Sequence, residues 1–285
     1  MMKKVIVGLF LLLFACQLNA INYTKADSIK VTKLLAEGLR QNKNTNMMIY
    51  FARRLKGVPY VAKTLEVNPT EQLIVNLRQL DCTTYVENVL ALTLCVKKSS
   101  ASFNDFCRNL QKIRYDRGNV EYTSRLHYFS NWIANNTRNG FVLEIQKNSS
   151  PFTAIQIVNT NYMTNHVASY PMLMEHPEWI GSINAMEKEL SGKRYRYIPK
   201  NMISNTNSCR STIKDGDIIA ILTSKAGLDT SHIGIAVWHK DGLHLLNASQ
   251  IRKNVVEESI TLHVISVYFR IRCFHFLGYQ SPKTT

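Results

Sequence analysis

Asp81 stands directly ahead of an apolar-periodic run from Cys82 to Val96. Within it Cys82, Val86, Val89, Leu90 and Thr93 follow the i, i+4, i+7, i+8 spacing of one helical face. The pattern predicts a helix capped by Asp81, with Cys82 in its first turn at the edge of the buried stripe. Far downstream lie Ser231-His232-Ile233-Gly234-Ile235-Ala236-Val237 and then Asn247. A thiol at a helix start, a histidine opening a strand and an amide near the next strand's end are the parts of a cysteine hydrolase.

Other elements sort by periodicity. Residues 24–40 and Met47 to Leu55 read as helices, broken by Gly57-Val58-Pro59-Tyr60 and again at Asn68-Pro69-Thr70-Glu71. The middle third, residues 99–200, mixes helix with loop: Phe103 to Ile113, Leu126 to Asn135 and Ile180 to Leu190 look helical, and Gly140 to Ile145 is a short apolar run. The last third changes character. Asp217 to Thr223, His232 to Trp238, Leu243 to Ala248 and Ile271 to Tyr279 alternate or run apolar with β-branched residues, with turns at Asp215-Gly216 and Asp241-Gly242. Helices first and an antiparallel sheet last read as α+β.

The chain begins with Lys3 and Lys4 followed by the apolar stretch Val5 to Ala15, too short to span a bilayer and suited to a secretory leader. Leu18-Asn19-Ala20 fits ordinary cleavage, giving a leader over residues 1–20. The alternative is a lipoprotein signal ending before Cys16, although Phe14 is bulky for a lipobox. Either way an exported, periplasmic protein is expected, soluble or lipid-anchored at Cys16, with no transmembrane helix. The formal charge of +15 loses only two with the leader, and the lysines and arginines are scattered apart from short groups such as Lys193-Arg194-Tyr195-Arg196. Such a surface is attracted to an anionic matrix such as a cell wall. No nucleic-acid-binding motif accompanies the charge. Of six cysteines, Cys82, Cys95, Cys107, Cys209 and Cys273 lie beyond the leader; their odd number leaves at least one thiol unpaired in an exported protein. No CxxC or Cys/His ligand spacing occurs, so neither metal nor cofactor is expected.

The chemistry then depends on three groups. A helix N-terminus is expected to lower the Cys82 thiol pKa, and the same N–H groups can face a developing oxyanion. His232 is the candidate base and acid, with Gly234 and Ala236 on its strand face leaving room for a partner helix. Asn247 would orient His232. A two-residue turn at Asp241-Gly242 pairs 240 with 243 and sets Asn247 opposite Ala236. That leaves four residues, roughly 13 Å at ~3.3 Å each, for a longer loop, a bulge or twist to close.

At this point the motifs become recognisable. Gly57-Val58-Pro59-Tyr60-Val61-Ala62, Leu80-Asp81-Cys82-Thr83-Thr84-Tyr85-Val86-Glu87-Asn88, Arg125-Leu126-His127-Tyr128-Phe129-Ser130, Tyr197-Ile198-Pro199-Lys200 and Asp215-Gly216-Asp217-Ile218-Ile219 with Ser231 to Ala236 run from about residue 50 to 250. Together they resemble the NlpC-type papain-like cell-wall hydrolases, in the N-acetylmuramoyl-L-alanine amidase branch once known only as a domain of unknown function. The resemblance implies one papain-like domain over residues 21–285, its nucleophile helix packed on an antiparallel sheet, with a helical and loop insertion at about 99–200. It implies hydrolysis of the amide between N-acetylmuramic acid and L-alanine in peptidoglycan fragments, anhydro-muropeptides above all, through an acyl-enzyme. Cys82 would be nucleophile, His232 base and acid, and Asn247 the orienting group, where the branch usually has histidine. Tyr60, Asp81, Arg125 and His127 would form the substrate side; a salt bridge for Arg125 and a packing role for His127 are the competing readings. An endopeptidase acting within the stem peptide and a catalytically silent wall-binding lipoprotein are the alternatives.

Overall fold

The computed structural model describes residues 21–145 and 150–260, and the main chain of 270–275. The leader with Cys16, and 276–279 of the last expected strand, lie outside the described residues. No helix among the described residues is long and apolar enough to cross a membrane.

Helices α1 (Lys25–Leu39), α2 (Met47–Arg54), α3 (Cys82–Lys97), α4 (Phe103–Arg114) and α5 (Phe129–Arg138) dominate the first half. The shorter α6 (Tyr162–Asn165), α7 (Pro171–Glu175), α8 (Ile180–Leu190) and α9 (Asn207–Thr212) follow. The strands are β1 (Ile21–Tyr23), β2 (Leu73–Val75), β3 (Leu143–Glu144), β4 (Ala154–Ile157), β5 (Arg194–Pro199), β6 (Ile218–Leu222), β7 (Thr230–His239), β8 (Gly242–Ser249), β9 (Asn254–Ser259) and β10 (Arg270–His275). A parallel pair joins β1 to β2, and an antiparallel sheet runs β4-β5-β10-β6-β7-β8-β9, with β3 also on β10. The mixed architecture agrees with the α+β expectation. Helix α5 starts three residues later than periodicity predicts, because Arg125 and Tyr128 are extended.

Helix α3 is the centre of the molecule. Thr24 caps α1 and Asp81 caps α3, each with a reciprocal bond from the third helical residue. Every residue from Thr84 to Cys95 is buried, so α3 is enclosed on all sides instead of presenting one stripe. It packs on α1, α2 and α4 and, across the sheet, on β7 and β8. Val86, Val89, Leu90 and Leu92 are fully buried, each contributing about 1.5–3 kcal/mol.

Strand alternation divides the sheet. Ile233, Ile235 and Val237 with Leu246 and Ala248 face the α3 core, whereas Ala236, Leu243 and Leu245 join Ile219, Ile221 and Phe152 on the opposite side. Gly234 and Ala236 therefore do not make room for the helix. A Cβ on Gly234 would lie 2.7 Å from Leu245 Cδ1 and 2.8 Å from the Leu246 carbonyl, so the glycine admits the neighbouring strand.

Candidate active site

Capping fixes where the thiol sits. Asp81 Oδ1 accepts from the Thr84 N–H and hydroxyl, both at 2.8 Å, and the Asp81 N–H donates back to Thr84 Oγ1 at 2.9 Å. Cys82 is thereby the first residue of α3, with its sulfur against the main chain of Ile233 on β7. A cleft of about 160 Å³ is lined by Cys82, Thr83, His127, Asp229 and His232 among others. The thiol and imidazole thus share one cleft.

Hairpin register brings the amide to the imidazole. The turn residues are Lys240 and Asp241, since His239 pairs with Gly242 and Ile235 with Leu246. One more step of this register puts Asn247 opposite Gly234, two residues from His232 and not four. A diagonal cross-strand neighbour is within side-chain reach. His232 Nε2 lies 3.0 Å from Asn247 Oδ1, which can only accept, so Nε2 carries the proton and Nδ1 is the basic nitrogen. Asn247 is fully buried. Its amide Nδ2 donates to the Leu245 carbonyl at 3.3 Å and to Glu258 Oε1 at 3.5 Å, which orients Oδ1 toward the ring. Arg252 Nε holds the other oxygen of Glu258 at 3.2 Å. A Gly234→Ala variant should therefore lose about 1–3 kcal/mol by crowding this strand crossing, as read from urea denaturation.

Electrostatics overturn one expectation. Burial pushes the Cys82 thiol up to about 12 and the Asp81 carboxylate adds to the rise; hydrogen bonds from Ile233 and Thr83 only partly oppose them. The net shift at Cys82 is therefore upward, not the downward one expected of a thiol at a helix start. Burial first, then the neighbouring Cys82 and Asp81, pushes the Tyr60 phenol up to about 12, so its hydroxyl keeps its proton at neutral pH. Its segment is held by the Tyr60 N–H on the Lys253 carbonyl at 2.8 Å and the Val61 N–H on Leu80 at 3.1 Å.

The substrate-side residues have structural partners. Arg125 is 6% exposed and paired with Glu66 and Glu71, and it stacks over Tyr122. Its salt bridges are buried, not on the surface. Burial and Arg125 push His127 down to about 3, and its Nε2 donates to the Tyr122 carbonyl at 2.8 Å. Both residues nonetheless line a second cleft of about 220 Å³ together with Lys63, Glu66 and Asp81. Thr83, Leu126 and His127 border both clefts. Glu258 and the Ile233 main chain were hidden in sequence, since neither position carries a local signal. Among the described residues Cys82, Cys95, Cys107 and Cys209 are free thiols.

Fold and site together define an α+β protein that gathers a thiol, an imidazole and an amide where a buried helix meets a sheet. The chain belongs to the AmiA-like family, described as N-acetylmuramoyl-L-alanine amidase-like, whose model matches residues 50–267. It is similar to an N-acetylmuramoyl-L-alanine amidase from Bacteroides uniformis, with 38% identity over 85% of this chain and 100% of that one and a TM-score of 0.74. A Bacteroides fragilis protein provisionally called a xylanase is 40% identical over 79% of this chain and 98% of its own, with a TM-score of 0.72. A Legionella pneumophila protein, 22% identical over 89% of this chain and 95% of its own, has a TM-score of 0.68 and shares the fold. A comparison with curated proteins finds no match.

Proposed function

We propose that this chain is an exported papain-like cysteine amidase that cleaves the amide between N-acetylmuramic acid and L-alanine in peptidoglycan fragments, anhydro-muropeptides above all. The observation that carries the reading is the His232 Nε2 to Asn247 Oδ1 bond of 3.0 Å, made at the cleft that holds Cys82. Family membership and the similarity to the B. uniformis amidase support the substrate class.

In this reading His232 Nδ1 takes the thiol proton as the sulfur attacks the lactyl carbonyl carbon. The oxyanion meets the first main-chain N–H groups of α3, which have no intrahelical acceptors, and the Tyr60 hydroxyl. The imidazolium returns its proton to the alanine nitrogen, the C–N bond breaks, and a thioester remains. Water then attacks the thioester, with His232 again the base. Sugar hydrolysis ordinarily uses two carboxylates facing the bond. Asp229 is the only carboxylate lining the Cys82 cleft among the described residues, and its Oδ2 already accepts from the Ser130 N–H at 2.6 Å.

Mass spectrometry of defined anhydro-muropeptides after incubation with the protein tests the assignment. Release of a peptide-free sugar and an intact stem peptide supports it. Cleavage only within the stem would make the protein an endopeptidase, and binding without cleavage a silent wall binder. Asn247→Ala should lower kcat on the order of 10²-fold with little change in KM, since the ring stays but loses its aim. Steady-state kinetics on the same substrate reads that split.

A further inference from the structure

Linear spacing offers no metal-ligand cluster, but the β7–β8 hairpin builds one at its tip. His239 ends β7, Asp241 sits in the turn and His244 is the third residue of β8. Val237 pairs with His244, so His239 and His244 are diagonal neighbours on the same sheet face. Their ring centroids are 4.1 Å apart. His244 Nε2 lies 3.1 Å from each oxygen of Asp241. One ligand atom from each of the three residues fits within a mutual separation of 4.8 Å.

We propose that this tip is a zinc site, with His239, Asp241 and His244 as protein ligands. Zinc ligands at 2.0–2.1 Å in a tetrahedron stand about 3.3 Å from one another. The His244–Asp241 separation already matches that edge, so replacing the imidazole proton by the ion needs little movement. A second feature is built around the first. His239 Nε2 donates to Glu257 Oε1 at 2.9 Å, which leaves Nδ1 with its lone pair as the ligating atom. Glu257 is itself held by Arg53 at 2.7 and 3.1 Å and faces Lys56 at 3.5 Å. A carboxylate that orients a histidine through its other nitrogen is the usual outer support of a zinc ligand. Two imidazoles and a carboxylate suit zinc over magnesium or calcium, which favour all-oxygen sets. Arg53 and Lys56 are engaged by Glu257, Arg210 donates to the His239 carbonyl at 2.7 Å and stacks over Trp238, and Lys240 is exposed, where solvent screens its charge. The three ligands come from both arms of the hairpin whose register sets Asn247 beside His232, so the ion would clamp that register.

Equilibrium dialysis of tag-free protein against zinc chloride tests the site, in a Cys82→Ser background so that the cleft thiol does not compete. That background also separates this test from the catalytic reading. One zinc per chain is expected, with magnesium chloride giving none. Asp241→Asn alters an exposed turn residue and spares the fold; it and His244→Ala should each weaken zinc binding at least tenfold. Glu257→Gln, acting through His239, should weaken it about 10- to 100-fold. Zinc should also raise the Tm of the parent and not of Asp241→Asn. Absence of stoichiometric zinc, or equal binding by the parent and both ligand variants, would overturn the proposal.

Discussion

Cys82→Ala should abolish turnover of anhydro-muropeptides, a loss on the order of 10⁴ to 10⁶ in kcat, while leaving the Tm unchanged. His232→Ala should cost nearly as much, and the reason lies in the thiol. Desolvation of the partly buried sulfur and the Asp81 carboxylate both raise this thiol, so at neutral pH it stays protonated until a base takes the proton. Both disfavour a lone thiolate, so attack and proton removal must be coupled through the ring. Removing either member leaves the other without a task. The double variant should consequently be no slower than the worse single variant, which mass-spectrometric assay of all three proteins would show. Losses that multiply in the double variant would mean the two groups act independently. Alkylation of Cys82 by iodoacetamide should slow in His232→Ala, because the residual thiol is protonated.

Much of this arrangement is local and therefore legible. The Asp81 cap and the start of α3 follow from side chains three residues apart, and periodicity alone marks β6, β7 and β8. Register is harder, because it depends on which two residues make the turn. Gly242 looks like a turn residue but begins β8 at a φ of +141, leaving Lys240 and Asp241 to reverse the chain. That choice moves Asn247 by two positions and brings it to His232. Strand β9 is obscured by Glu257 and Glu258, whose charges resemble a loop until their partners appear: His239 and Arg53 for one, Asn247 and Arg252 for the other. Strand β5 reads as a basic cluster because its arginines alternate with the buried Tyr195 and Tyr197. The all-round burial of α3 has a similar cause, since Glu87 and Asn88 read as polar positions off the apolar stripe and are instead enclosed.

Glu87 carries the largest stability effect expected here. Its carboxylate meets Arg114 Nε at 2.7 Å, with side chains 3% and 2% exposed, and Arg114 Nη1 also donates to the Ile74 carbonyl at 2.7 Å. Burial is the largest influence on Glu87 and pushes its carboxyl up, against the pull of Arg114. Desolvation therefore outweighs attraction on the acid's side, so the pair is not a simple source of stability. Breaking it is another matter. Glu87→Gln keeps the shape but leaves the Arg114 charge buried without its counter-ion, a loss of about 3–5 kcal/mol. Removing both charges, as in Glu87→Gln with Arg114→Met, should recover part of that loss. Urea denaturation of the two variants separates the cases. Equal losses in single and double would mean the helix–helix packing matters and the stranded charge does not. A smaller loss in the double would place the cost on the unpaired Arg114 guanidinium of α4, which faces the Glu87 position five residues along α3 from Cys82.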